Sequence, residues 1–324
     1  MNTAAIDQAL DMGEYLDIWL AHVRGRVRQK TWQSYEGLTR VHARPSLGQI
    51  SLDGLHALHL QELYGQLLEL HPSGGTVLNL HLVLTQALGQ AVRWGYIGSN
   101  PAAGAQPPRP RRAELNILDQ AATEQILAAA EGSRFECPVA IAVATGMRRG
   151  EILGLRWSDI DPDFMLAQVR RSLQHTKQGP IYENPKTKRS RRSVVLPAFL
   201  GPYLARQRKD QDVRRAKCDW NENNLVVDYR DGSPWKPDSF SPAWSGFLRR
   251  SGLPHVRFHD LRHAHATLML SKGVHPKIVS ERLGHASIGI TLDTYSHVLP
   301  SMQQDAADEF DDLFSSTPRT EGLG

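Results

Sequence analysis

Residues 257–270 read Arg-Phe-His-Asp-Leu-Arg-His-Ala-His-Ala-Thr-Leu-Met-Leu, and residues 281–298 read Glu-Arg-Leu-Gly-His-Ala-Ser-Ile-Gly-Ile-Thr-Leu-Asp-Thr-Tyr-Ser-His-Val. On a helix His259 and Arg262 share a face, being three residues apart, and His263 joins them at the next step. The His-x-x-x-His spacing invites a zinc reading. The zinc-protease motif, however, needs a glutamate directly after its first histidine. Here that position is Asp260, one methylene shorter, and no third ligand is evident. His265 reads as a packed or solvated histidine.

Working outward, residues 144–160 read Ala-Thr-Gly-Met-Arg-Arg-Gly-Glu-Ile-Leu-Gly-Leu-Arg-Trp-Ser-Asp-Ile. Thr145-Gly146 ends one helix and Gly150–Leu155 begins another. Arg148 sits in the turn between them, with Glu151 three residues on to hold its guanidinium. Taken alone, this is a surface turn with a local ion pair. Helical signals precede it over 119–131 and 138–145. A β-rich patch follows over 166–173, 180–183 and 193–196. The stretch between the last two strands, residues 184–192, carries five basic residues and reads as the turn of a basic hairpin. Beyond Pro197 the chain returns to helix.

The first hundred residues form apolar stripes at helical spacing. Tyr15, Trp19 and Val23 make one, and Trp32, Tyr35 and Leu38 a second. Leu60, Leu63, Tyr64, Leu67 and Leu68 make a third. Val77, Leu80, Leu84, Leu88 and Val92 make a fourth, stopped near Gly95. Residues 45–48, Pro-Ser-Leu-Gly, read as a loop between the second and third stripes. After Asn100-Pro101 the run Gln106-Pro-Pro-Arg-Pro-Arg-Arg112 disfavours helix and reads as an extended linker. Its Arg109, Arg111 and Arg112 suit either a solvated hinge or a strap lying along phosphates.

At 324 residues the chain suggests about two domains. With 40% hydrophobic and 22% charged residues it has ordinary globular composition, not that of a disordered chain. No apolar run approaches a membrane helix, and the N-terminus lacks the layout of a secretory signal. Cys137 and Cys218 are too few for a disulfide framework. The net charge is +4, but residues 301–324 hold six acidic residues against Arg319, so the rest of the chain carries +9. A basic body suits a polyanion, most simply nucleic acid. In the tail Phe310, Leu313 and Phe314 form one apolar edge of an otherwise acidic helix. Such a helix either caps its own domain or docks on a neighbour.

Five motifs in this order and spacing resemble the tyrosine recombinase family, in particular the phage-type integrases. They are Thr145-Gly-Met-Arg148, Pro185-Lys-Thr187, His259-Asp-Leu-Arg262, Leu283-Gly-His285 and Tyr295-Ser-His297. The resemblance implies a mainly α fold with a small antiparallel sheet (α+β). Its parts are a helical core-binding domain over 1–105, a basic Pro-rich linker over 106–113, a catalytic domain over 114–300 and an acidic tail over 301–324. The lead before the first helix is too short for a separate arm-binding domain.

The resemblance further implies site-specific strand exchange through a 3′-phosphotyrosyl linkage, with Arg148, Lys186, His259, Arg262, His285 and Tyr295 as the catalytic set. Guanidinium forks match phosphate oxygens, and preorganised cations that meet developing charge remove the need for a metal or cofactor. Tyr295 is the nucleophile, His259 accepts its proton and His285 bonds a phosphate oxygen. Lys186, or Lys188 two residues on, protonates the leaving 5′-oxygen. The implied partners are double-stranded DNA, a homotetramer assembled on two DNA sites, and accessory directionality or DNA-bending proteins. The implied location is the cytoplasm, at the nucleoid. Two other classes stay open: a type IB topoisomerase with similar residues, and a non-catalytic DNA-binding regulator, which needs no Tyr295.

Overall fold

The structure, a computed structural model, describes residues 10–110, 118–176, 179–183, 191–295 and, in the tail, 307, 308, 310, 311 and 314. Its contacts divide the chain into two compact units, Met1–Glu114 and Leu115–Gly324.

In the first unit α1 (Met12–Val23) starts at a capping box. Asp11 accepts from the Glu14 backbone N–H at 2.7 Å, and the Glu14 carboxylate answers the Asp11 N–H at 3.3 Å. Helices α2 (Gln29–Leu38) and α5 (Gly75–Trp94) pack on it, and α4 (Ala57–Leu70) packs on α5. The stripes read from the sequence form the core, except that Trp32, Tyr35 and Leu38 are only half-buried against it. Tyr15, Trp19, Leu60, Leu63, Val77, Leu80, Leu84 and Leu88 are buried, and Trp19 stacks on Tyr35 with ring centroids 5.5 Å apart. Gly95 ends α5 with φ +79°.

Residues 45–48 depart from the expected loop. Arg44–Leu47 is a short helix, α3, running directly on from α2 through a π-turn over Thr39–Ala43. Pro45 falls in the first turn of α3, where its missing N–H costs nothing. The wider π-turn before it accommodates the register change.

The second unit is built around α7 (Glu136–Thr145), which is buried along almost its whole length. Helices α6 (Gln120–Ala130), α8 (Arg149–Leu153), α9 (Gly201–Arg215), α10 (Pro237–Arg250) and α11 (Asp260–Ser271) surround it. Phe135, Trp235, Phe240, Trp244 and Phe258 meet in an aromatic cluster at its start, edge to face for the most part. Helices α12 (Pro276–Leu283) and α13 (Ile288–Tyr295) complete the unit and pack on one another and, through α12, on α11.

The strands correct one expectation. Among the described residues there are two separate two-stranded antiparallel sheets. β1 (Leu166–Val169) pairs with β4 (Arg192–Val195), and β2 (Ser172–Thr176) pairs with β3 (Gly179–Glu183). The hairpin therefore closes between Thr176 and Gly179, where Gly179 takes φ +114°, a conformation that glycine adopts cheaply. The strands on either side of the basic segment, β3 and β4, do not pair with each other. The segment itself, 184–190, joins strands of different sheets and lies outside the described residues, Lys186 and Lys188 with it. Alternation along a strand specifies its two faces but not its partner, so the pairing was not readable from the pattern.

Candidate active site

The site is assembled at the ends of helices. α7 stops at Gly146, which has φ +63°. A Cβ there would sit 2.5 Å from Leu283 and 2.7 Å from His265. Glycine is thus demanded by both the backbone and the close approach of α12 and α11. The tight turn delivers Arg148 to the N-cap of α8. There Glu151 receives the Arg148 backbone N–H at 2.9 Å and its guanidinium at 3.0 Å.

Glu151 also binds a second guanidinium. Arg192, at the start of β4, donates to its two oxygens at 3.2 and 3.0 Å. Both side chains of this pair are nearly out of solvent, at 6% and 4% exposure. Burial works against the Glu151 charge, but Arg192 and Arg148 outweigh it and hold the carboxyl below its usual range. Arg192 reaches a third element through Nε, which donates to the Arg282 carbonyl at 2.6 Å. Its guanidinium lies where a Cβ on Gly284 would be, at 2.9 Å. Gly284, with φ +69°, caps α12 and leads into His285.

Arg262 comes from the first turn of α11 and is 3% exposed. Its Nη1 donates to the Gly146 carbonyl at 2.7 Å, while Nη2 is buried with no hydrogen-bond partner among the described residues. Burial, and then Arg148, lower its pKa. An arginine still remains charged at neutral pH.

His259 caps α11 with its surface exposed. Its packed surroundings, and then the cation of Arg262, the neighbouring His263 and the cation of Arg148, pull its pKa down to about 4. His285 meets Thr291 Oγ1 through Nδ1 at 2.8 Å. Burial followed by Arg262, Arg148 and Arg192 brings it to about 4 as well. Arg262 and Arg148 thus act on both His259 and His285, which puts the four residues in one electrostatic neighbourhood.

Tyr295 ends α13, 1% exposed. Burial pushes its phenol up to about 12, against the opposing pull of Arg262. Its hydroxyl lies 2.8 Å from His263 Nδ1. The sequence reading gave that partnership to His259; the structure gives it to His263, one helical turn further along the same face of α11. The rings of the two histidines stand perpendicular, 5.2 Å apart. His265 is packed, with Nδ1 at 2.7 Å from the Val143 carbonyl and Nε2 receiving Arg282 at 3.2 Å.

The structure therefore brings together five of the six residues expected from the sequence, and Lys186 lies outside the described residues. His263 and Arg192 were not in that set. The i, i+4 spacing places His263 on the His259 face, but local sequence does not show that a tyrosine 32 residues away meets it. Nothing local signalled Arg192. The site is a set of converging donors, some partly exposed like Arg148 and His259 and others buried like Arg262. A cavity of about 430 Å³ beside Arg134, Arg206 and Arg214 shares no residue with it.

The chain matches known proteins along most of its length. Residues 116–302 match the model of the phage integrase family, and residues 12–68 that of its N-terminal SAM-like domain. A XerC-like tyrosine recombinase of Caldanaerobacter subterraneus subsp. tengcongensis is 30% identical over 329 residues, spanning 95% of this chain and 84% of that one. Among solved structures, the Tn1549 transposon integrase in complex with a circular intermediate DNA superposes with a TM-score of 0.78 at 19% identity, over 91% of this chain and 99% of that one. The lambda integrase tetramer bound to a Holliday junction gives 0.65 at 19% identity, over 87% and 76%. At these identities the structural likeness speaks for the fold.

Proposed function

Because this chain belongs to the phage integrase family, we propose how its residues divide the work of recombination. The protein is a site-specific tyrosine recombinase that cuts and rejoins DNA. One observation carries the assignment of the site: beside Arg148 and two neutral histidines, Arg262 holds a buried Nη2 that has no partner among the described residues. A buried guanidinium donor is costly unless an acceptor meets it, and a phosphate oxygen is the acceptor whose geometry fits the fork.

The scissile phosphodiester sits against Arg148 and Arg262, with His259 and His285 completing its ring of donors. As the phosphorus becomes pentavalent, its oxygens gain charge that these fixed groups neutralise. Glu151 keeps Arg148 aimed, and the Gly146 carbonyl keeps Arg262 aimed. Tyr295 Oη bonds to phosphorus, and the bond from phosphorus to the 5′-oxygen breaks. That oxygen takes a proton, which we assign to Lys186 Nζ. The 3′-phosphotyrosyl linkage preserves the energy of the broken bond, so a second 5′-hydroxyl can displace the tyrosine without ATP.

The partner is double-stranded DNA, gripped by the helical unit over 1–105 and the catalytic unit over 114–300, with the basic linker 106–113 between them. Recombination takes two duplexes and four cleavages, so the working form is a tetramer on two sites, joined by accessory directionality or DNA-bending proteins. The lambda integrase relative was itself captured as a tetramer on a Holliday junction. The acidic tail 301–324 docks on a neighbouring protomer in this assembly. Of its apolar edge, Phe310 and Phe314 lie among the described residues, and both are exposed. No helix among the described residues is long and apolar enough to cross a membrane; we place the protein in the cytoplasm, on the nucleoid.

The test is a nicked suicide substrate run on a denaturing gel. Wild-type protein forms a covalent adduct, and Tyr295→Phe binds the same DNA without forming it. Undiminished adduct in the variant rejects Tyr295 as nucleophile.

A further inference from the structure

We propose that His263 is a catalytic residue, the base that takes the Tyr295 proton during cleavage and returns it during rejoining. The inference rests on the reading of Tyr295 as nucleophile and adds the group that makes it reactive.

The need for a base follows from the burial of Tyr295. With a pKa of about 12, only roughly one phenol in 10⁵ is ionised at pH 7. The neighbouring arginine does not overcome this, because desolvation outweighs it. The proton must therefore leave as the bond to phosphorus forms, to an acceptor already within hydrogen-bond reach.

His263 Nδ1 is that acceptor, at 2.8 Å from Oη. It must be neutral to serve. Burial lowers its pKa, Asp260 raises it, and Arg262 and Arg257 lower it further. The groups facing it are Asp260 and Arg262 on its own helix, Arg257 before that helix, His259 one turn back and Tyr295 from α13. Asp260 is itself held by Arg257 at 2.9 Å, which spends part of its charge. His263 is thus unprotonated at neutral pH, and with its proton on Nε2 its Nδ1 accepts from the phenol.

Two histidines one turn apart on α11 then have separate tasks. His259, at the exposed cap beside Arg148 and Arg262, serves the phosphate. His263, deeper on the same face, serves the nucleophile. In cleavage the Tyr295 proton passes to His263 Nδ1 as Oη bonds to phosphorus, and the 5′-oxygen departs with the proton of the acid. In rejoining, the incoming 5′-hydroxyl gives up its proton to that acid. Oη leaves phosphorus and takes its proton back from His263. Each cycle closes with every proton restored.

The experiment compares His263→Ala and His263→Asn with wild type in single-turnover adduct formation on the suicide substrate, with DNA affinity and thermal melting measured alongside. The Asn side-chain oxygen can stand near the position of Nδ1 and accept the tyrosine hydrogen bond, but it cannot take the proton. A base predicts that both variants bind DNA normally and form adduct about 10²–10⁴-fold more slowly. It also predicts that imidazole in solution accelerates His263→Ala. Wild-type speed in His263→Asn would show that only positioning matters and would overturn the base role, leaving Tyr295 as nucleophile intact. Adduct persisting in Tyr295→Phe would instead overturn the nucleophile, and this inference with it.

Discussion

Arg192 and Glu151 form an ion pair that is almost entirely buried, Nη2 to Oε2 at 3.0 Å, and each member of the pair anchors a different part of the site. Glu151 positions Arg148, and Arg192 holds the end of α12 that leads to His285.

Breaking that pair should therefore damage stability and catalysis together. Arg192→Met leaves Glu151 with Arg148 alone, and losing one partner of a buried pair costs about 3–5 kcal/mol. The pH dependence has a definite sign. The folded Glu151 pKa lies below its unfolded value, so its contribution is complete above the ordinary carboxylate pKa of about 4.3. It fades as the pH falls through the lower folded value. Urea unfolding of wild type and variant from pH 3 to 7 would display this. A stability difference that does not shrink toward acid would remove Glu151 from the account.

Gly146→Ala should be among the most harmful small substitutions. The left-handed backbone costs a non-glycine residue about 1–2 kcal/mol, and the new Cβ meets Leu283 and His265 well inside contact distance. The carbonyl that aims Arg262 belongs to this same residue. Adduct formation should fall further than DNA binding does. A variant matching wild type in melting temperature and adduct rate would show that the turn is more tolerant than its geometry implies.

The acid can be identified by its leaving group. Lys186→Ala should cleave ordinary DNA very slowly and recover on a substrate with a 5′-bridging phosphorothiolate, whose sulfur leaves without needing a proton. If Lys188→Ala is the variant that recovers, the role moves by two residues within the basic segment.

The linker can be tested through salt. If Arg109, Arg111 and Arg112 lie along the DNA backbone, removing each phosphate contact should flatten the log–log salt dependence of binding by roughly 0.9. Replacing all three with glutamine and recovering the original slope would favour a solvated hinge.

The amino-acid sequence by itself determined the helical units, because apolar stripes such as Tyr15, Trp19 and Val23 can be buried in only one way. It also made most of the proposed catalytic set legible, because Arg148, His259, Arg262, His285 and Tyr295 sit in short motifs whose local spacing survives folding. The tertiary structure decided what sequence distance conceals. Which strands pair depended on the tight return at Gly179, so β3 and β4, which flank the basic segment, lie in different sheets. Arg192 joined the site only because β4 brings it beside Glu151, 41 residues away. The tyrosine's hydrogen-bond partner is His263 and not His259 because the end of α13 meets α11 at His263, a choice made by tertiary packing that no motif records.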